Sequence, residues 1–249
     1  MNDTIPACLQ AHLSTLEDGR PVRVYNFGRG YFFSIQERVL FETLLHEGHQ
    51  PDLAVFIDGG NDVGMWLNAN GNPYFTNFFR NVSWRIGNPP LWSIETPLQM
   101  YIQQRKTSRQ KTSENQNSTQ LIKELGKDEA NWQRMLDRWF INKRMTEALA
   151  AEFGINTLFV WQPVPLYRYA ASKYHLLADQ FSDELQVLPY QLFEQRVSEA
   201  PLDRHLLVLS GLQEKMERNL YVDLIHYNSF FNNLIAEHIA RHIQNWDQP

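Results

Sequence analysis

The sequence predicts an α/β protein, a parallel sheet sandwiched between helices in three α/β/α layers. Two observations carry this expectation. Helical and strand patterns alternate through the first sixty residues and resume after residue 129. Polar signatures then follow the C-terminal ends of the strands, where such sheets bind ligands. The 249 residues are enough for a substantial core. We read residues 1–249 as a single domain with an irregular insertion at about 63–127.

The elements follow in order. Residues 4–16 form a short helix with Leu9, Leu13 and Leu16 on one face and Pro6 in the first turn, where its missing donor does no harm. Gly19 and Pro21 turn the chain into a strand, Val22–Phe27. After Asn26-Phe27-Gly28-Arg29-Gly30, Ser34 and Glu37 have the spacing of a capping box, with Ile35, Val39, Leu40 and Leu44 as the apolar stripe behind them. Gly48 ends that helix. A buried strand, Leu53–Asp58, runs into Gly59-Gly60-Asn61-Asp62. In the insertion, Trp66, Tyr74, Phe75, Phe78, Phe79, Trp84 and Trp92 suggest a lid or an aromatic platform, and Gln103–Gln120 is almost free of apolar residues. A long amphipathic helix over Glu129–Phe153 buries Trp132, Leu136, Trp139 and Leu149 and stops at Gly154. The strand Thr157–Gln162, a helix near Tyr169–Phe181, a strand His205–Ser210 and a final helix from about Ser229 to Trp246 complete the chain.

Composition removes several function classes. With 23 Lys+Arg against 28 Asp+Glu, the net charge of −5 leaves no electrostatic footprint for a nucleic-acid backbone. The longest clean apolar run, Leu53–Ile57, falls far short of the roughly 20 residues of a membrane helix. The single cysteine, Cys8, excludes internal disulfides and a cysteine-based zinc cage. His238 and His242 are four apart on one helix but have no evident third ligand, so no metal or cofactor is expected.

Three segments could carry chemistry. The glycines of Asn26–Gly30 allow a tight turn that leaves backbone N–H groups facing a ligand. In Gly59-Gly60-Asn61-Asp62, an asparagine amide at a strand end can donate to an oxyanion without adding charge. In Asp223-Leu224-Ile225-His226, the carboxylate can hold the imidazole Nδ1 and free Nε2 to act as a base. Each has an ordinary structural explanation by itself: a strand-to-helix turn, a Gly-Asn turn, a capping Asp.

Their combination and order resemble the SGNH (GDSL) hydrolase family. VRVYNFGRGYFFSIQERVLFETLLHEGHQPDLAVFIDGGND and YVDLIHYNSFFNNLIAEHIARHI are similar to that family's second, third and fifth blocks. The resemblance covers residues 3–62 and 205–243, with TLFVWQPVP as the main support between them. It implies an esterase or acylhydrolase on a flavodoxin-like fold, acting on a small-molecule or carbohydrate ester. By that resemblance, His226 is the base, Asp223 its partner and Asn61 the side-chain oxyanion donor. The backbone donor falls at Gly30, four residues after Asn26; Tyr31, at the family's usual five, is the alternative. Asp62 is expected to tie the loop together.

The family's nucleophilic serine belongs to a turn ahead of the helix that begins here at Thr4, and Met1, Asn2 and Asp3 do not supply it. Ser34 is committed to the helix start, and Ser210 lacks the family's context. The expectation is therefore a nucleophile and a first strand upstream of Met1, and little activity without them. In the flavodoxin-like order that strand lies between Val22–Phe27 and Leu53–Asp58, whose edges its absence would expose. The alternative reading is a pseudoenzyme that binds a ligand or carbohydrate through the aromatic insertion.

Overall fold

The computed structural model describes residues 3–15, 19–68, 124–170, 187–223 and 225–246. Three parallel strands form its sheet: β1 (Leu53–Asp58), β2 (Asn156–Trp161) and β3 (Leu206–Val208), in the spatial order β1-β2-β3. Around them run α1 (Ile5–His12), α2 (Ser34–His46), α3 (Gly60–Asn68), α4 (Glu129–Glu152), α5 (Val187–Ser198) and α6 (Ser229–Gln244). The protein is thus mixed α/β with a small parallel sheet, as the alternation of patterns implied.

Strand alternation sends successive side chains to opposite faces, and each face feeds its own hydrophobic cluster. Leu158 and Val160 of β2 pack with Leu9 and Leu13 from the α1 region and with Phe231, Ile235 and Ile239 of α6. Phe159 and Trp161 point the other way, toward Trp132, Leu136 and Trp139 of α4 and Phe193 of α5. The Trp161 ring stacks on Phe193 with centroids 3.8 Å apart, and Trp139 meets Trp161 edge-on at 5.3 Å. Such aromatic pairs add about 0.5–1.5 kcal/mol each beyond the area they bury.

The expected helix stops are present in detail. At positive φ, Gly48 and Gly154 each follow a helix, and the bonds from His49 N–H to the Leu44 carbonyl and from Ile155 N–H to the Ala150 carbonyl close both ends (2.9 Å each). No element was expected over Val187–Ser198; Pro189 near its start obscured a helix that buries Tyr190, Leu192 and Phe193. Tyr169 and Ala170 are not helical, and the rest of the helix expected near Tyr169–Phe181 lies outside the described residues. Residues 63–68, expected to open the insertion, are helical, because α3 continues to Asn68. Trp66 belongs to the core, 1% exposed with Nε1 donating to Asn131 Oδ1 (3.0 Å), and is no part of a lid. The other aromatic residues named for that lid lie outside the described residues.

Two further expectations need correcting. Val22–Phe27 is not a strand of the sheet. Two of its backbone groups are served by α1 instead: Gln10 Nε2 donates to the Val22 carbonyl (3.0 Å), and Val24 N–H donates to Gln10 Oε1 (2.7 Å). With one N–H and its oxygen, the Gln10 amide stands in for a neighbouring strand at Val22 and Val24. Ser34 is not a cap either. Phe33 is the N-cap, and Ser34 Oγ is drawn away to Asp62.

β1 lies at the edge of the sheet. The carbonyls of Asp52 and Asp58 accept from Asn156 and Gln162 on the β2 side. Backbone groups alternate in direction along a strand, so those of Leu53, Val55 and Ile57 face the outer edge, where no described strand pairs with them. Replacing Gln10 with Ala should cost about 1–2 kcal/mol in urea denaturation, the worth of its two hydrogen bonds. Gln10→Glu keeps the acceptor for Val24 but loses the donor for Val22, and should fall between Gln10→Ala and the wild type.

Candidate functional site

Asp223 and His226 occupy a closed turn between Leu220 and Asn228. Val222 N–H donates to the His226 carbonyl and Asn228 N–H to the Leu220 carbonyl (both 2.9 Å), while Tyr221 and Tyr227 form an antiparallel bridge. The turn is anchored from outside by the Tyr227 hydroxyl, which donates to the Pro163 carbonyl (2.7 Å). Asn228 then starts α6, its side chain accepting from Phe231 N–H.

Within this turn the Asp223 carboxylate is fully directed. Oδ1 accepts from the backbone N–H groups of Ile225 (2.9 Å) and His226 (2.7 Å), and Oδ2 faces His226 Nδ1 at 2.6 Å. Burial pushes the Asp223 carboxyl up, but the two backbone donors and the imidazole outweigh it and hold it below the usual carboxylate range. An ionised carboxylate only accepts, so Nδ1 carries the hydrogen and Nε2 keeps its lone pair in the neutral ring. The His226 side chain is 70% exposed, and Nε2 faces no hydrogen-bond partner among the described residues. The geometry is that of a base held in one tautomer.

Asn61 and Asp62 sit in the first turn of α3, directly after β1. Asn61 Nδ2 donates to the Phe32 carbonyl (2.6 Å), which leaves its second N–H for another acceptor. The neighbouring Asp62 accepts from Ser34 Oγ at 2.6 Å and from Ser34 N–H at 3.3 Å. Together these bonds fasten residues 32–34 to residues 61–62, the tying role expected of Asp62. Gly59 makes the junction possible. It has φ +123°, and a Cβ there would lie 2.6 Å from the Tyr190 hydroxyl oxygen. Gly30 and Tyr31 lie in the loop before Phe32. Tyr31 holds a left-handed φ of 65° and is 81% exposed, and nothing crowds the space beside Gly30.

The structure therefore makes two local pairings of the expected residues, Asp223 with His226 and Asn61 with the loop that carries Gly30. No hydrogen bond or ion pair joins one pairing to the other among the described residues. The start of the described chain lies near the first pairing. Ser229 Oγ, three residues after His226, donates to Asp3 Oδ2 (2.9 Å), and Asn232 Nδ2 donates to the Asp3 carbonyl (2.8 Å). Neither serine considered as a nucleophile is free. Ser34 is held by Asp62, and the buried Ser210 donates to Glu194 Oε1 (2.6 Å). His238 and His242 each bind a backbone carbonyl, of Leu234 and Arg204 respectively. Among the described residues no group of three or more His, Cys, Asp or Glu could hold a metal ion, and no helix is long and apolar enough to cross a membrane.

Sequence reasoning missed two carboxyls beneath the Asn61 turn. Asp58 ends β1 inside the core, with Trp139 Nε1 donating to its Oδ2 (3.1 Å), and Glu37 approaches it from α2. The signal was an acidic residue closing an apolar strand, which the Gly-Gly-Asn-Asp motif overshadowed.

No family model matches the chain, and no curated protein or solved structure matches it either.

Gly59→Ala should destabilise the protein by about 2–4 kcal/mol, combining backbone strain with overpacking against Tyr190. Gly64→Ala is the control, because Gly64 lies within α3 with nothing within 4 Å of its Cβ position. Urea denaturation should show that variant unchanged or slightly more stable, since alanine favours the helix. Equal losses in both would discard the steric account of Gly59.

Proposed function

We propose that this chain carries the His, Asp and Asn of a Ser-His-Asp ester hydrolase of the SGNH kind. Its fold is then a three-layer α/β/α sandwich with a flavodoxin-like sheet. The observation that carries the reading is the Asp223–His226 pair, with the ring oriented at Nδ1 and Nε2 open to solvent. Three features favour a nucleophile carried by a strand that precedes residue 1. β1 has an outer edge that pairs with no described strand. Val22–Phe27 lies outside the sheet, as it would on the far side of such a strand. Asp3 is hydrogen-bonded to α6 just past His226, so a segment leading into it would arrive beside the base.

In this mechanism the serine oxygen attacks the acyl carbonyl as His226 Nε2 takes its proton. Asp223 stabilises the imidazolium, and His226 then protonates the leaving alcohol. The developing oxyanion receives the second N–H of Asn61 and the backbone N–H of Gly30 or Tyr31. Water, activated by the same histidine, then hydrolyses the acyl-enzyme. The substrate is a small-molecule or carbohydrate ester. Without the serine, only the contribution of oxyanion binding remains, so residues 1–249 alone should be nearly inactive. The carbohydrate-binding alternative gains nothing from Trp66, which lies in the core.

The test is the protein isolated from its native source, its intact mass measured and its activity assayed on a short-chain aryl ester. A mass above that of residues 1–249, a serine labelled by a phosphonate, and ester hydrolysis are expected. His226→Ala should abolish the activity, and Asn61→Ala should lower kcat about 10²–10³-fold, the usual effect of losing an oxyanion donor. Unchanged rates in both variants would sink the assignment.

A further inference from the structure

Three carboxyls from three elements meet under the Gly59–Asp62 turn: Glu37 of α2, Asp58 at the end of β1 and Asp62 in the first turn of α3. Asp58 and Asp62 are each only 3% exposed. Asp62 is well supplied with donors from Ser34, from Gly59 and from its own backbone, and is equipped to carry a charge. Asp58 is not. Trp139 Nε1 serves its Oδ2, but its buried Oδ1 has no donor. What lies against Asp58 is the carboxyl of Glu37, one helical turn along α2 from the Ser34 that bonds Asp62 and on the same face. Two ionised carboxylates offer each other only lone pairs, whereas one proton between them gives the orphaned oxygen its partner.

Among the described residues, the groups around the pair supply no compensating cation. Trp139 of α4, Trp161 of β2 and Tyr190 of α5 face the turn with neutral side chains, and the Tyr190 hydroxyl is itself buried without a partner. Arg38, beside Glu37 on α2, is engaged by Asn142 and Glu42. Lys143 of α4 is engaged by Glu147 and Asp203.

We propose that Glu37 and Asp58 share one proton at neutral pH, and that this acid–carboxylate pair is a proton-dependent latch fastening α2 to the turn that carries Asn61. The latch does not depend on the hydrolase reading, because it concerns the folding of the turn and no substrate. Burial is the largest cause raising all three groups. It pushes Glu37 up to about 7, assisted by the Asp62 charge; it pushes Asp62 up to about 6 against its hydrogen bonds; and Asp58 is held well above the carboxylate range. The folded state therefore binds more protons than the unfolded chain from about pH 4 upward. The stability due to these protons is complete below that pH; the Glu37 share is lost as pH rises through about 7, and the Asp58 share only at higher pH. Each such proton raises the unfolding constant by up to about tenfold per pH unit.

Two measurements on the full chain test the latch. The first is urea unfolding from pH 5 to 8.5 at fixed ionic strength, for the wild type, Asp58→Asn and Glu37→Gln. Each amide reproduces the protonated partner: an Asn at 58 donates to Glu37, and a Gln at 37 donates to Asp58. Both variants should lose up to about tenfold per pH unit from the wild-type dependence. The second is the infrared band of a protonated carboxyl at pH 7, expected in the wild type and diminished in both variants. Glu37→Gln replaces one oxygen by an NH2 group at nearly the same volume and keeps the test decisive if Asp58→Asn does not fold. A wild-type spectrum without the band, or an unaltered pH dependence in the folded variants, overturns the proposal.

Discussion

The parallel pairing of β1 with β2, residue for residue from Leu53 with Asn156 to Asp58 with Trp161, is the constraint on which the rest of the structure depends. It ends both strands at the same level, so Gly59 leaves β1 beside Trp161 and Gln162. It also fixes which side chains face each cluster, sending Phe159 and Trp161 to the aromatic side and Leu158 and Val160 to α1 and α6. A slip of one residue would exchange these sets and place Asp58 on the wrong face. The aromatic packing of Trp139, Trp161 and Phe193 makes such a slip costly, because stacked and edge-on rings tolerate little displacement.

That same packing explains the severity of the turn after β1. Tyr190 and Trp161 crowd the backbone at Gly59, so only a residue without a side chain passes. The next four residues must then start a helix at once. Asn61 and Asp62 fall in its first turn, where their side chains reach back to Phe32 and Ser34. The polar motif is thus a joint between α2 and α3 before it is anything chemical. Serving as a joint also holds the Asn61 amide in a defined direction, which is what a donor to a developing charge requires.

Much of this was legible in the sequence, for physical reasons that differ by element. β1 and α4 were readable because burial dictates their pattern: an unbroken apolar run in one, Trp132, Leu136 and Trp139 at helical spacing in the other. The Asp223–His226 pairing was readable because three residues of separation suffice to close it locally. Val22–Phe27 misled because strand character is only half in the residue types; the other half is a neighbour, and Gln10 takes that place. Ser34 misled for a similar reason. The spacing of Ser34 and Glu37 describes a capping box, yet both side chains are claimed by carboxyls from β1 and α3 that local sequence does not reveal. The partnership of Glu37 with Asp58 spans 21 residues and depends on where α2 packs, so no local pattern announces it.

The four acidic groups show how environment assigns different work to similar side chains. Asp223 lies near the surface, accepts two backbone N–H groups and an imidazole, and is held ionised. Asp62 is buried but gathers donors from Ser34 and the backbone, so its charge is tolerated. Asp58 and Glu37 are short of donors and can satisfy each other only through a proton. A charge is affordable where hydrogen-bond donors replace lost water, and a proton is retained where they do not. The ionised carboxylate thus stands beside the exposed imidazole, while the protonated pair sits below the Asn61 turn, where an added charge would push α2 and the turn apart.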